Sequence, residues 1–71
     1  MPRTAGYLRI VDDISAQIDS GHLRPGDRLP SIKQLQGRYG VSAQPVKTAL
    51  TILQAQGRVQ GRQGSGVFVL A

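Results

Sequence analysis

The glycine-rich segment near the C-terminus holds the residues whose spacing most suggests chemistry. Three glycines alternate with polar and basic side chains, in the order Gly61, Arg62, Gln63, Gly64, Ser65 and Gly66. Backbone N–H groups in such loops can cradle a phosphate, but a nucleotide-binding loop must follow a strand and open a helix. Here a valine-rich, strand-like run follows the loop, with neither a Gly-Lys-Ser/Thr signature nor a downstream acid for a ribose. These features argue against a nucleotide site.

The same loop suits a tight β-hairpin turn, with a positive φ at Gly64 or Gly66. A tip without side chains can approach another surface closely, and Arg62 and Gln63 beside it could contact a DNA backbone or minor groove. An ordinary hairpin turn without a ligand is the alternative, because glycine often marks such turns.

A second polar set follows helical spacing. Gln44, Lys47, Thr48 and Thr51 stand at i, i+3, i+4 and i+7, so they share one face of a helix. This face lacks acids and is rich in side chains that donate hydrogen bonds. Considered alone, it would be interpreted as a solvated helix surface, so its meaning depends on the elements around it.

The first of these elements is an amphipathic helix. Apolar residues recur at three- and four-residue spacing, as Tyr7, Ile10, Val11, Ile14 and Ile18. This period predicts a helix over about residues 5–20. Thr4 could cap its start, and Gly21 stands where a left-handed residue would end it.

A capping pattern marks the start of a second, shorter helix. Ser31 and Gln34 are spaced so that each side chain can bond the other's backbone N–H, which predicts a helix over about residues 31–39. Before it, Arg28-Leu29 is long enough only for a very short strand.

A third helix follows after one sharp turn. Gly40 permits the turn and Ser42 can cap the helix, which covers about residues 43–56 and carries the polar set. An apolar stripe would face the core from its other side: Val46, Ala49, Leu50 and Leu53. Two short helices joined by a glycine-containing turn form a helix-turn-helix, whose second helix is the recognition helix.

Beyond Gly57 the apolar residues follow the alternation of a strand. Val59 begins one predicted strand and Val67–Leu70 forms the other, so the glycine-rich loop joins a hairpin. No repeat and no interdomain linker interrupts the chain. The sequence predicts one domain over residues 1–71, mainly α with a small β-hairpin, in a three-helix winged helix-turn-helix.

Charge is unevenly distributed along the chain. Nine basic and four acidic residues give a net charge of +5. All four acids lie within the first 27 residues, where three arginines leave a net charge of −1, whereas residues 28–71 hold six basic residues and no acid. A basic half without acidic partners creates a positive field suited to a polyanion such as nucleic acid.

The amino-acid composition excludes several classes of site and function. The chain has no cysteine and a single histidine, His22, which rules out disulfides and zinc sites of the thiolate or histidine type. We expect no metal, no cofactor and no enzymatic activity, since no nucleophile–base pair and no paired carboxylates are visible. No apolar run has signal-peptide or membrane-spanning length, so we expect a cytoplasmic protein without a membrane partner.

Several short motifs are specific only in combination. They are the segment IDSGHLRPGDRLPS, the turn YGVS, the third-helix core VKTAL and the wing GSGVFV. Together they resemble the N-terminal winged helix-turn-helix of GntR-family bacterial transcription regulators, over Tyr7 to Val69. The resemblance implies a DNA-binding regulator, usually a repressor, that reads a pseudo-palindromic operator in double-stranded DNA. The family's effector domain would follow where this chain ends, so we expect the chain to be a DNA-binding fragment. The resemblance also implies a homodimer that forms on DNA or through that C-terminal domain.

The resemblance also assigns DNA contacts by position. They fall on Lys33 of the second helix, on Ser42, Ala43, Gln44 and Lys47 of the recognition helix, and on Arg62, Gln63 and Gly64 of the wing. Thr48 joins this set as a member of the polar helix face.

Three departures from the family pattern prevent transfer of its base preferences. Ile32 stands where glutamate is common, which removes the usual cap or ion pair. Ala43 replaces a frequent arginine, and with it a bidentate guanine reader, but its methyl could touch a thymine methyl. Pro45 is tolerated in the first helical turn but disfavours helical geometry at Gln44. Gln44 is then the best base reader, suited to adenine N6 and N7, and Lys47 could reach guanine or a phosphate.

The competing interpretation is a winged-helix module that docks a protein partner without binding DNA. The acid-free third helix and wing favour DNA, because a protein interface does not require the loss of every acid. RNA binding is disfavoured, since Phe68 is the only phenylalanine and no exposed aromatic platform is visible.

Overall fold

The computed structural model describes residues 6–70 and contains three helices and a hairpin in the predicted order. The elements are α1 (Gly6–Asp19), α2 (Ile32–Tyr39), α3 (Ala43–Ala55), β1 (Val59–Arg62) and β2 (Gly66–Val69). Every predicted boundary agrees with the structure to within one residue. The proposed cap Thr4 lies outside the described residues.

The core takes an apolar face from every element. Its members are Ile10, Val11 and Ile14 of α1, Leu29, Leu35 of α2, Val46, Ala49, Leu50 and Leu53 of α3, and Val59 and Val69 of the strands. None of the described polar or charged residues is buried. Because α3 packs against α1, α2 and β1, its apolar stripe is fixed inward and its polar face must point outward.

Local hydrogen bonds close α2 at both ends. The Ser31 hydroxyl accepts from the backbone N–H of Gln34 at 3.1 Å, and the Gln34 side chain accepts from the N–H of Ser31 at 2.8 Å. The predicted capping box is therefore confirmed, and the expectation that Ile32 leaves this helix without its cap is wrong. The first turn does lack an acid, and half-buried Ile32 packs against the core instead. Gly40 ends the helix in the left-handed region, at φ 64°.

The start of α3 differs from that of α2. Ser42 occupies the N-cap position with an extended backbone, as predicted, but its hydroxyl makes no capping bond. A cap hydroxyl accepts from the second or third helical N–H. The third residue is Pro45, which has no N–H, and the Ser42 hydroxyl does not bond the N–H of the second residue, Gln44. Pro45 was expected to disfavour helical geometry at Gln44, but the structure includes Gln44 in the helix.

The wing begins with the predicted hairpin. β1 and β2 pair antiparallel, with Val59 opposite Val69 and Arg62 opposite Gly66. Both candidate glycines have positive φ, 78° at Gly64 and 110° at Gly66. The turn therefore needs two glycines where the sequence predicted at least one.

A third segment completes the wing sheet. Arg28 bridges antiparallel to Phe68 on the free side of β2, and the backbone N–H of Leu29 donates to the carbonyl of Val67 at 2.8 Å. The very short strand predicted at Arg28-Leu29 is thus confirmed as a bridge. β2 becomes the middle strand of a three-stranded wing sheet, formed by residues 27–29, β1 and β2.

Two side-chain contacts attach the wing sheet to the helices. Arg58 Nη1 lies 2.9 Å from Asp19 Oδ1, which is the only ion pair among residues 6–70. The N–H of Gly61 donates to Gln54 Oε1 of α3 at 3.3 Å. These contacts restrain the orientation of the wing relative to α1 and α3.

Candidate nucleic-acid interface

The polar face of α3 is exposed as predicted. Gln44, Lys47 and Thr51 are exposed and Thr48 is half-buried. The Thr51 hydroxyl donates to the carbonyl of Lys47 at 2.9 Å, which commits it to the helix itself. The Gln44 amide donates to the Thr48 hydroxyl at 3.4 Å, which leaves its oxygen and second N–H available. The groups that can reach outward are therefore the Gln44 amide and the Lys47 ammonium.

The start of α3 presents small side chains, one polar and one apolar. Ser42 is exposed with a hydroxyl free of any capping bond, and Ala43 is half-buried. The first N–H groups of a helix lack intrahelical partners and lie at the positive end of its dipole. Together these groups form a surface that can donate hydrogen bonds to an anion or to a base edge.

The wing tip is exposed, but one of its side chains is held in place. Gln63 and Gly64 lie in the exposed turn after β1. The guanidinium of Arg62 lies 5.1 Å from the centre of the Phe68 ring, within the range of a cation–π contact. Arg62 is therefore oriented over the sheet and does not extend freely from the tip.

Lys33 lies in the first turn of α2 and is exposed. It lines an open surface groove together with Arg28 and Arg38. The structure therefore groups this predicted contact residue with two other basic side chains on the α2 side of the molecule.

The electrostatics of this surface follow from the absence of acids beyond Asp27. Within residues 6–70, Arg58 is the only basic residue that forms an ion pair, and its partner Asp19 belongs to α1. Lys33, Lys47 and Arg62 are thus exposed and form no ion pair with the described carboxylates, so a polyanion can approach them.

Two residues of this surface were not predicted as functional. Arg28 lies across the wing sheet beside Gly66, and Phe68 supports Arg62. The sequence signal for Arg28 was available, since it is the first basic residue of the acid-free part of the chain. The contact of Phe68 with Arg62 depends on strand register, which the sequence does not specify.

Other kinds of site find little support in the described residues. No group of three or more potential metal ligands occurs among residues 6–70. In the same part of the chain, no helix has the length and apolarity needed to cross a membrane.

Comparison with known sequences gives a consistent result. The family model for bacterial regulatory proteins of the gntR family matches residues 6–69. The mannosyl-D-glycerate transport/metabolism system repressor MngR of Escherichia coli K12 is 44% identical over 63 residues, covering 89% of this chain and 26% of that protein. The histidine utilization repressor of Klebsiella aerogenes is 38% identical over 71 residues, covering 96% of this chain and 30% of that protein. This chain thus spans less than a third of the length of either relative.

Solved structures share the same fold. The DNA-binding domain of AraR in complex with operator ORX1 superimposes with a TM-score of 0.91 at 30% identity, covering 94% of this chain and 81% of that chain. The N-terminal domain of AraR bound to a mutant ORR3 operator superimposes with a TM-score of 0.92 at 29% identity, covering 97% of this chain and 99% of that chain.

Proposed function

Because the chain belongs to the GntR family of bacterial regulatory proteins, we propose that it binds double-stranded DNA sequence-specifically as the DNA-binding unit of a transcription repressor. α3 lies in the major groove, and the wing lies on the adjacent backbone or minor groove. This function needs no catalysis, and it is carried out in the bacterial cytoplasm, where the operator DNA lies.

The observation that carries the proposal is the fold of an operator-bound domain combined with an exposed polar face on α3. The described residues share the fold of an operator-bound domain at a TM-score of 0.91, and the outward face of α3 presents an exposed amide and an exposed ammonium, Gln44 and Lys47. The whole chain beyond Asp27 contains no acid that would repel phosphate.

The residues that contact base edges lie in the first turns of α3. The Gln44 amide can donate and accept at once, which matches the N6 and N7 edge of adenine. Its contact with Thr48 restrains the side chain and lowers the entropy lost on binding. Ala43 can contact a thymine methyl, and Lys47 reaches either guanine or a phosphate.

The remaining predicted residues position the protein on the duplex. Ser42 and Lys33 donate to phosphate oxygens from the starts of α3 and α2, and the wing contributes Arg62, Gln63 and Gly64. Such contacts fix register and supply salt-dependent affinity, but they carry no sequence information directly.

The test begins with selection of bound duplexes from a random pool, followed by equilibrium titration at one fixed salt concentration. Gln44→Ala should cost about 1–3 kcal/mol on the selected duplex and little on a scrambled one. Lys47→Ala should weaken binding to both, because a lysine near the backbone supplies the sequence-independent contribution.

Gln56→Ala is the matched control, since Gln56 is an exposed glutamine at the other end of α3, and it should bind both duplexes like the wild type. Equal losses on both duplexes for Gln44→Ala would show that Gln44 is not a base reader. Failure to enrich any sequence from the pool would contradict sequence-specific binding and would favour a protein-docking role.

A further inference from the structure

The wing sheet has two chemically different faces. Directly opposed residues of neighbouring strands point to the same side of a sheet, as do residues two apart along one strand. Arg28 opposes Phe68, and Arg62 opposes Gly66. Since Gly66 and Phe68 are two apart on β2, all four residues lie on one face, which we call the outer wing face. The other face carries the buried Val59–Val69 pair.

Arg28 and Arg62 flank β2 on opposite sides, and each side chain reaches diagonally across it. Arg62 opposes Gly66, but its guanidinium lies over the ring of Phe68, 5.1 Å from the centroid. Arg28 opposes Phe68, but its side chain lies against Gly66. A Cβ atom on Gly66 would come within 2.9 Å of Arg28 Nε. The missing side chain at Gly66 leaves room for Arg28, at a position where the positive φ of 110° already favours glycine.

This arrangement places two positive charges on the same face of the sheet. Neither arginine forms an ion pair with a carboxylate within residues 6–70. A phosphate anion that approaches this face would be attracted by both positive charges. Guanidinium groups also match phosphate geometry through their fixed set of donors, and packed side chains lose less entropy on binding.

We propose that the outer wing face is a phosphate-contacting surface in which Arg28 and Arg62 bind the DNA backbone together. Phe68 and Gly66 are its positioning residues: the first orients Arg62, and the second gives Arg28 its place. The proposal rests on the DNA binding proposed above and extends it to residues outside the helix-turn-helix and the wing tip. Arg28 also lines the groove that contains Lys33, so this surface continues toward the start of α2.

The first experiment measures the salt dependence of binding to a mixed-sequence duplex. The slope of log K against log salt is negative, and loss of one phosphate contact makes it shallower by about 0.9. Arg28→Ala should show this change together with weaker binding. Arg24→Ala is the matched control, because Arg24 is an exposed arginine in the same loop, and it should keep the wild-type slope.

The second experiment tests the positioning role of Phe68 with a double-mutant cycle. Phe68→Leu keeps an apolar side chain on β2 but removes the ring under Arg62. It should weaken duplex binding about two- to fivefold, the range expected for an exposed cation–π contact. In an Arg62→Ala background the same change should have no further effect, because there is no guanidinium left to orient.

The outcomes separate this proposal from the proposed function. If the wild type binds the duplex while Arg28→Ala matches Arg24→Ala in affinity and slope, the outer wing face is refuted and DNA binding stands. Additive losses for Phe68→Leu and Arg62→Ala would likewise overturn the positioning role. If the wild type binds no duplex at all, both proposals fail. Circular dichroism melting of each variant ensures that only folded protein is compared.

Discussion

Two serines at helix starts, Ser31 and Ser42, allow the same chemical change to be made in two different environments. The Ser31 hydroxyl accepts from the N–H of Gln34 in a complete capping box. The Ser42 hydroxyl makes no such bond, and the N–H that Gln34 supplies in α2 is missing at the equivalent residue of α3, Pro45. Serine-to-alanine substitution should therefore destabilise the protein at Ser31 and leave its stability nearly unchanged at Ser42.

The size of the difference follows from the cap. Loss of a serine N-cap costs about 1 kcal/mol, within a range of about 0.5–2 kcal/mol. In a domain of this size, 1 kcal/mol corresponds to a shift of about 4–8 °C in the melting temperature. Ser31→Ala should lower the melting temperature by about that amount. Ser42→Ala should lower it by at most about 2–4 °C, which corresponds to the limit of about 0.5 kcal/mol for a surface change.

A third substitution tests the cause. Pro45→Ala restores the missing N–H, so the Ser42 hydroxyl can then cap α3. In that background, Ser42→Ala should cost about 1 kcal/mol. Thermal melts followed by circular dichroism at 222 nm, a wavelength that reports helix content, measure all four variants. Equal losses for Ser31→Ala and Ser42→Ala with Pro45 present would refute the reasoning, as would the absence of a larger loss after Pro45→Ala.

Three further predictions concern stability and assembly. Burial, and then the nearby carboxylate of Asp13, raise the pKa of Tyr39 above 10.0. The stability that the protonated Tyr39 contributes is therefore complete below pH 10 and is lost as the pH rises through the folded-state pKa. Tyr39→Phe should reduce the resulting decline of the melting temperature at alkaline pH. Leu53→Ala should cost about 2–5 kcal/mol in urea unfolding, because Leu53 is fully buried, whereas Leu8→Ala at a 42% exposed position should change little. Sedimentation should show a monomer without DNA, since Leu8 and Leu70 are the only large apolar residues exposed within residues 6–70. On a pseudo-palindromic duplex with half-sites about 34 Å apart, it should show two bound copies. A stable dimer at micromolar concentration without DNA would contradict this prediction.

Local signals predicted most of the fold. The Ser31 and Gln34 capping box, the left-handed Gly40 and the apolar stripe of α3 depend on residues close together in the chain. The bridge from Arg28 to Phe68 joins distant segments, and a very short strand does not specify its partner. The sequence therefore predicted the strand at Arg28 but not the sheet that it completes.

The candidate site was predictable to a similar extent. Helical spacing identified the exposed face with Gln44 and Lys47, because a period of 3.6 residues determines which side chains share a side. The free hydroxyl of Ser42 could have been inferred from Pro45 three residues later, since a missing N–H is visible in the sequence. The support of Arg62 by Phe68 required the strand register, and no local pattern supplies that.

The bridge between the loop before α2 and the middle wing strand also has a consequence for the order of folding. The hydrogen bond from Leu29 to Val67 closes a chain segment of roughly 40 residues, at an entropic cost of about 3 kcal/mol in an unstructured chain. That segment contains both α2 and α3. Once these helices have packed against each other, the effective loop is much shorter and its closure is less costly. The helix-turn-helix should therefore form first and bring the wing strands together, so that the three-stranded sheet forms after the helix-turn-helix and opens before it.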